Sequence, residues 1–156
     1  MKIVTKIFLI SSVITILISC DYGPKATLNN DFEPYPNNKP IDFKKLIGIY
    51  ELDNITKRKY DIKVNEKLFI KINQDSSFSV NKHIDDETGK ITNKNKKGYI
   101  YNPQNKIDSY FMELKDLNLK TTELYRRKSD STIALYVLTK GYNGKESDYL
   151  RYIKVK

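Results

Sequence analysis

Side chains able to do chemistry are few in this sequence, and most sit where turns are expected. The one histidine, His83, precedes Asp85, Asp86 and Glu87. Alternation along a strand would place His83, Asp85 and Glu87 on one face, and imidazole with carboxylates is a donor set a metal ion can use. Gly89 and Lys90 follow at once, though, and the glycine lacks the flanking Asp/Asn alternation and distal Glu of a calcium loop. The segment therefore reads as a solvated turn, and no metal is assigned. Glu113 and Asp116 could divide acid and base work, but Leu114 and Lys115 between them read as a strand running into a turn. The chain has no Gly-x-Ser-x-Gly elbow, and its six glycines form no phosphate-cradling cluster. We assign no catalytic residue and no cofactor, and expect a protein that is not an enzyme.

One side chain stands apart by position. Cys20 is the sole cysteine, and it ends a segment that starts with Lys2 and Lys6 and continues as an apolar run from Ile7 to Ile18. A basic start, a short apolar centre and a small-residue end is the layout of a secretory signal. Twelve helical residues at about 1.5 Å each reach roughly 18 Å, too short for a hydrocarbon core of about 30 Å. A permanent span is the poorer reading. The tetrad Leu17-Ile18-Ser19-Cys20 resembles the lipobox of bacterial lipoproteins. That resemblance implies a diacylglyceryl group on the Cys20 thiol and cleavage before Cys20, with residues 1–19 removed. Burying methylenes at about 0.8 kcal/mol each makes one acyl chain a marginal anchor and two or three a durable one. Removing 19 of 156 residues leaves 137, and losing Lys2 and Lys6 lowers the formal charge from +9 to +7.

Residues 20–40 carry four of the five prolines and show neither a helical nor a strand period. They read as a lipidated N-terminus and flexible tether. The folded domain is expected over residues 41–156. There, alternation dominates: Leu68, Ile70 and Ile72 share one face, as do Phe78 and Val80, with Gln74-Asp75-Ser76 between them as turn chemistry. The pattern predicts a β-hairpin. Further strands are expected at 46–52, 60–64, 98–101, 109–114, 119–125, 132–138 and 149–155, joined by turns at 85–89, 102–105, 126–130 and 140–145. Beyond the signal, the only helix expected is a single turn at 41–45.

Eight or nine short strands joined in sequence predict an all-β domain, a small antiparallel meander barrel that closes its own edges, with a β-sandwich as the alternative. The opening Leu46-Ile-Gly-Ile-Tyr-Glu-Leu52, the hairpin Leu68–Phe78 and the closing Leu150-Arg-Tyr-Ile-Lys154 resemble the lipocalin-like lipoproteins of Bacteroidetes. Gly48-x-Tyr50 is similar to the Gly-x-Trp that begins the first lipocalin strand, with Tyr in place of Trp. The resemblance implies a barrel and leaves the activity open.

Two side-chain classes remain. Lys94, Lys96 and Lys97, then Arg126, Arg127 and Lys128, form basic runs near Tyr99, Tyr101 and Tyr125. Cations beside aromatics can hold single-stranded nucleic acid. Here 24 of the 28 basic residues are Lys, a compositional bias rather than a bidentate phosphate site, so no nucleic-acid partner is expected. Anionic headgroups or acidic glycans suit a basic tethered body better. Among the aromatics, Tyr50, Phe78, Tyr110, Tyr136 and Tyr152 are candidates to line a pocket or a core. The expectation is a monomeric protein of the bacterial cell envelope, lipid-anchored with its domain outside the cytoplasm, the outer membrane favoured over the inner. It would bind a small apolar ligand within or an envelope component. The alternative is a structural or inhibitory interaction module that uses its outer sheet surface.

Overall fold

The fold is known from a computed structural model that describes residues 28, 30–36, 38, 40–85, 90–93, 95–101, 111–114, 121–139 and 148–156. Leu17, Ile18, Ser19, Cys20 and Tyr110 lie outside the described residues. The elements are β1 (Phe32–Pro34), α1 (Phe43–Leu46), β2 (Gly48–Leu52), α2 (Asn54–Lys59), β3 (Phe69–Ile72), β4 (Ser77–Val80), β5 (His83–Ile84), β6 (Ile91–Thr92), β7 (Lys96–Tyr101), β8 (Phe111–Leu114), β9 (Thr121–Arg127), β10 (Ile133–Thr139) and β11 (Asp148–Lys154). The protein is mostly β.

Nine strands form one antiparallel sheet in the order β1-β9-β10-β11-β2-β3-β4-β7-β8, and β8 pairs in addition with β9. One edge of β9 is shared: its first residues face β8 and its last face β1, with Thr121↔Glu113 at one end and Arg127↔Phe32 at the other. β5 and β6 form a separate two-stranded sheet beyond β4 and β7. Expected and observed strands coincide to within a few residues at β2, β3, β4, β7, β8, β9, β10 and β11.

Turn chemistry sets these registers. At the β3–β4 hairpin, Asp75 Oδ1 accepts bonds from the Ser77 amide at 3.0 Å and the Ser77 hydroxyl at 2.6 Å. Ser76 takes a positive φ of 61°, which closes the turn. Between β9 and β10, Asp130 Oδ1 accepts from the Thr132 amide at 3.0 Å, and Ser131 supplies the left-handed residue at φ 60°.

Three differences from the sequence reading have physical causes. Residues 32–34 of the expected tether are β1, because Phe32 is an apolar side chain that buries to 3 % exposure against β9 and β10. Pro34 is tolerated in a strand that occupies an end of the sheet order, where its missing N–H breaks no interior ladder. Residues 60–64 are not a strand: Tyr60 terminates α2, and Ile62 folds back so that its amide donates to the Lys57 carbonyl at 2.8 Å. Finally, α2 itself was not expected. Asp53 caps it by accepting from the Thr56 amide at 2.7 Å, and Lys57, Arg58 and Lys59 sit in its last turn, where the helix dipole favours positive charge.

The main core lies on one face of the sheet. Tyr50, Leu52, Ile70, Ile72, Phe78, Val80, Leu124, Leu135 and Leu150 all project into it. At the end where β2 begins, Ile41 before α1 and Leu46 at its end are buried in this core, with Phe43 packed against it; Asp42 caps the turn by accepting from the Lys44 amide at 3.0 Å. Tyr50 donates its hydroxyl to the Leu46 carbonyl at 2.7 Å, tying α1 to the first core strand. Toward the opposite end Tyr60, Ile62, Leu68 and Ile84 join the same core.

Gly48 opens β2 with φ +145°, and a Cβ there would run into the backbone carbonyl oxygen of Lys156, which accepts from the Ile49 amide at 2.9 Å. Only glycine combines that φ with that approach. Gly48→Ala is expected to destabilise the protein by roughly 1–3 kcal/mol. A lowered denaturant midpoint with an unchanged slope is the measurement that checks it.

Candidate functional site

The five expected lining residues separate by face. Tyr50, Phe78 and Tyr152 lie in the main core at 0 %, 0 % and 3 % exposure. Burial raises the pKa of both Tyr50 and Tyr152 far above the ordinary phenol value. Tyr136 does not line the main core. It belongs to a second cluster with Leu28, Phe32, Tyr125 and Ala134, on the other face of β10. The run Ile133–Thr139 is apolar at nearly every position and buried on both faces, so alternation could not say which parity pointed inward. Leu68, Leu124, Leu135 and the aromatics fill the main core with their own side chains.

In the second cluster the Tyr125 and Tyr136 rings stack, with centroids 4.0 Å apart, and Phe32 and Tyr149 meet the Tyr136 ring edge-on at 6.2 and 6.3 Å. Beside them lies Arg151, buried to 1 % exposure. Its Nε donates to Asp53 Oδ2 at 2.7 Å, and Nη2 contacts the same oxygen. Nη1 donates to the Tyr136 hydroxyl at 3.3 Å, and the guanidinium lies 4.7 Å from the Phe32 ring centroid. Burial raises the Tyr136 pKa, and the bond from Arg151 opposes that rise. Sequence reasoning missed this constellation. The available signal was Asp53 three residues before Thr56, a helix-capping spacing that also places a carboxylate at the end of β2.

Other titratable groups are scattered. His83 lies in β5 opposite Thr92, and the Asp85 amide donates to the Lys90 carbonyl at 2.9 Å; Asp86 and Glu87 lie outside the described residues. No group of three or more His, Cys, Asp or Glu side chains comes together among the described residues. No helix among them is long and apolar enough to cross a membrane. Of the basic runs, Arg126 pairs with Glu33 at 2.7 Å, Arg127 with Asp130 at 3.0 Å, and Lys128 donates to Asn30 at 3.1 Å. Tyr125 is buried, so its ring is not offered to a ligand.

Two surface features remain open. Tyr35, Pro36, Pro40, Ile41, Lys45 and Arg126 line a half-open cleft of about 420 Å³ beside α1. On the other side of the sheet from the main core, Lys71 and Lys97 flank Ser79 in register, and Tyr99 lies opposite Ser77. Beside the second feature the Ser77 hydroxyl donates to Asp75 Oδ1 at 2.6 Å; both features can hold a ligand by shape, charge and ring contact.

Breaking the buried pair from one side leaves an uncompensated charge, so Arg151→Met or Asp53→Leu alone is expected to cost about 3–5 kcal/mol. The double variant should cost much less than the two summed, as a double-mutant cycle in denaturant would read. Thr122 presents a second, smaller case: its hydroxyl is fully buried with no hydrogen-bond partner among the described residues. Thr122→Val keeps the shape and removes the orphan, and is expected to raise stability by about 1 kcal/mol in the same assay.

No family model matches this sequence, and no curated protein or solved structure does either, so the functional reading rests on the chain's own residues.

Proposed function

We propose that this protein is a non-enzymatic lipoprotein of a bacterial cell envelope, fastened by lipid on Cys20, whose domain is a lipocalin-like barrel that binds another envelope component through its outer surface. The lipid anchor rests on the Leu17-Ile18-Ser19-Cys20 tetrad after a short apolar run. Barrel closure is supported by the pairing of β8 with both β7 and β9: the pairings can be followed from β2 through β3, β4, β7, β8, β9, β10 and β11 back to β2.

The observation that carries the choice of surface over interior is the filled core. Tyr50, Phe78, Leu68, Leu124 and Leu135 are all at 0 % exposure, so the space a small apolar cargo would take is occupied by the protein's own side chains. The expected binding of a small ligand is kept as a second reading for one reason, the cleft beside α1, whose Tyr35, Pro36 and Pro40 walls offer apolar contact. The outer membrane, a monomeric state and a location outside the cytoplasm belong to this proposal.

In a bacterial host that processes lipoproteins, the full chain grown with a labelled fatty acid should take up label and enter the detergent-rich phase on partitioning. Cys20→Ala should abolish the label and move the protein to the aqueous phase. A native chain that keeps Met1, carries no label and stays aqueous would overturn the anchor.

A further inference from the structure

The sheet surface opposite the main core carries two exposed lysines on strands that flank β4, Lys71 and Lys97. Six cations elsewhere have a carboxylate partner: Lys57 with Glu51, Lys59 with Asp148, Lys82 with Glu66, Arg126 with Glu33, Arg127 with Asp130 and Arg151 with Asp53. Lys71 and Lys97, both exposed, make no ion pair among the described residues. The register of three neighbouring strands holds them on either side of Ser79, as Lys71↔Ser79↔Lys97. Two steps between strands put their backbones about 10 Å apart.

Side-chain size gives this strip a shape. Ser77 and Ser79, the outward residues of β4, form a low floor. Lys71 of β3 rises on one bank, and Lys97 and Tyr99 of β7 rise on the other. Tyr99 is 63 % exposed, the most exposed large hydrophobic side chain among the described residues. Asp75, in the turn at one end of the trough, is engaged by the Ser77 amide and hydroxyl. The Ser79 hydroxyl makes no hydrogen bond among the described residues, and Ser79 lies between the two lysines in register.

We infer that the trough along β4, walled by Lys71, Lys97 and Tyr99 and floored by Ser77 and Ser79, is a binding site for a linear acidic polysaccharide. It names the envelope component left open above and rests on that reading. Two lysines a trough-width apart match a chain that carries repeated carboxylates. A serine hydroxyl between them suits sugar hydroxyls, and an exposed phenol ring offers a flat face for the C–H side of a sugar ring. A bilayer surface fits less well. Adsorption to lipid uses a continuous apolar face, whereas this strip has one ring, and its width admits a single extended chain.

The test uses the full chain in detergent micelles. Alginate, a linear polyuronate, should bind, weakening as salt rises, because exposed charges are screened beyond a Debye length of about 10 Å at 0.1 M. Neutral dextran should not bind, and polyglutamate and phosphatidylglycerol vesicles should bind several-fold more weakly. Lys71→Gln with Lys97→Gln should weaken alginate binding about tenfold, at roughly half that factor on a logarithmic scale per charge. Lys63→Gln, an exposed lysine elsewhere, should leave it unchanged. The chain has no tryptophan, so Tyr99→Trp gives a single reporter whose emission should change on adding alginate. The inference is overturned if dextran binds as well as alginate, if polyglutamate or the vesicles match it, if the double glutamine variant binds like the parent, or if the tryptophan emission does not respond. Failure of this kind leaves fatty-acid labelling of Cys20 intact, and loss of labelling leaves alginate binding intact, so the two proposals fall separately.

Discussion

The Arg151 guanidinium is where four separate parts of the chain meet. It extends from β11, bonds Asp53 at the junction of β2 and α2, donates to Tyr136 on β10 and lies over Phe32 of β1. A charge this deeply buried is tolerable only with its partners in place. The pair therefore adds little net stability over an apolar substitute, yet it penalises any arrangement in which β1 or α2 is elsewhere. It fixes which side of β10 is covered, and hence which side holds the main core.

With that side settled, the remaining surfaces take different characters. The β9–β10–β11 region is buried on both faces, the second being covered by β1 and α2 with Leu28, Phe32 and Ile55. The β3–β4–β7 region is buried on one face only, and its outward residues include Lys71, Ser77, Ser79, Lys97 and Tyr99, with Phe69 half-buried among them. Antiparallel strands in a sheet read this way when one face meets water.

Much of the fold could be read from the chain. Alternation in Leu68–Val80 located a hairpin, and Asp75 performs the turn role its side chain suggested. Tyr50, Phe78 and Tyr152 lie in the main core, and of these Phe78 stands between two serines that fix its parity. Tyr136, offered with them as a candidate for a pocket or a core, lies in the second core cluster, within a run where Ala134, Leu135 and Val137 are all apolar and parity cannot be read. The trough was visible only in pieces: Lys97 and Tyr99 alternate in sequence, but nothing local says that Ser79 and Lys71 lie beside them.

Local chemistry by itself determined the strand periods, the tight turns, the caps at Asp42 and Asp53, and a lone cysteine set after a short apolar run. These depend on neighbours a few residues apart, where side-chain alternation and side-chain-to-backbone bonds act. Only the tertiary structure decided that Phe32 belongs to the domain, that β10 buries both faces, that Arg151 reaches Asp53 across 98 positions, and that exposed lysines from β3 and β7 flank one serine. The reason is that burial and ion pairing depend on which strands become neighbours, and strand pairing joins residues whose distance along the chain carries no local mark.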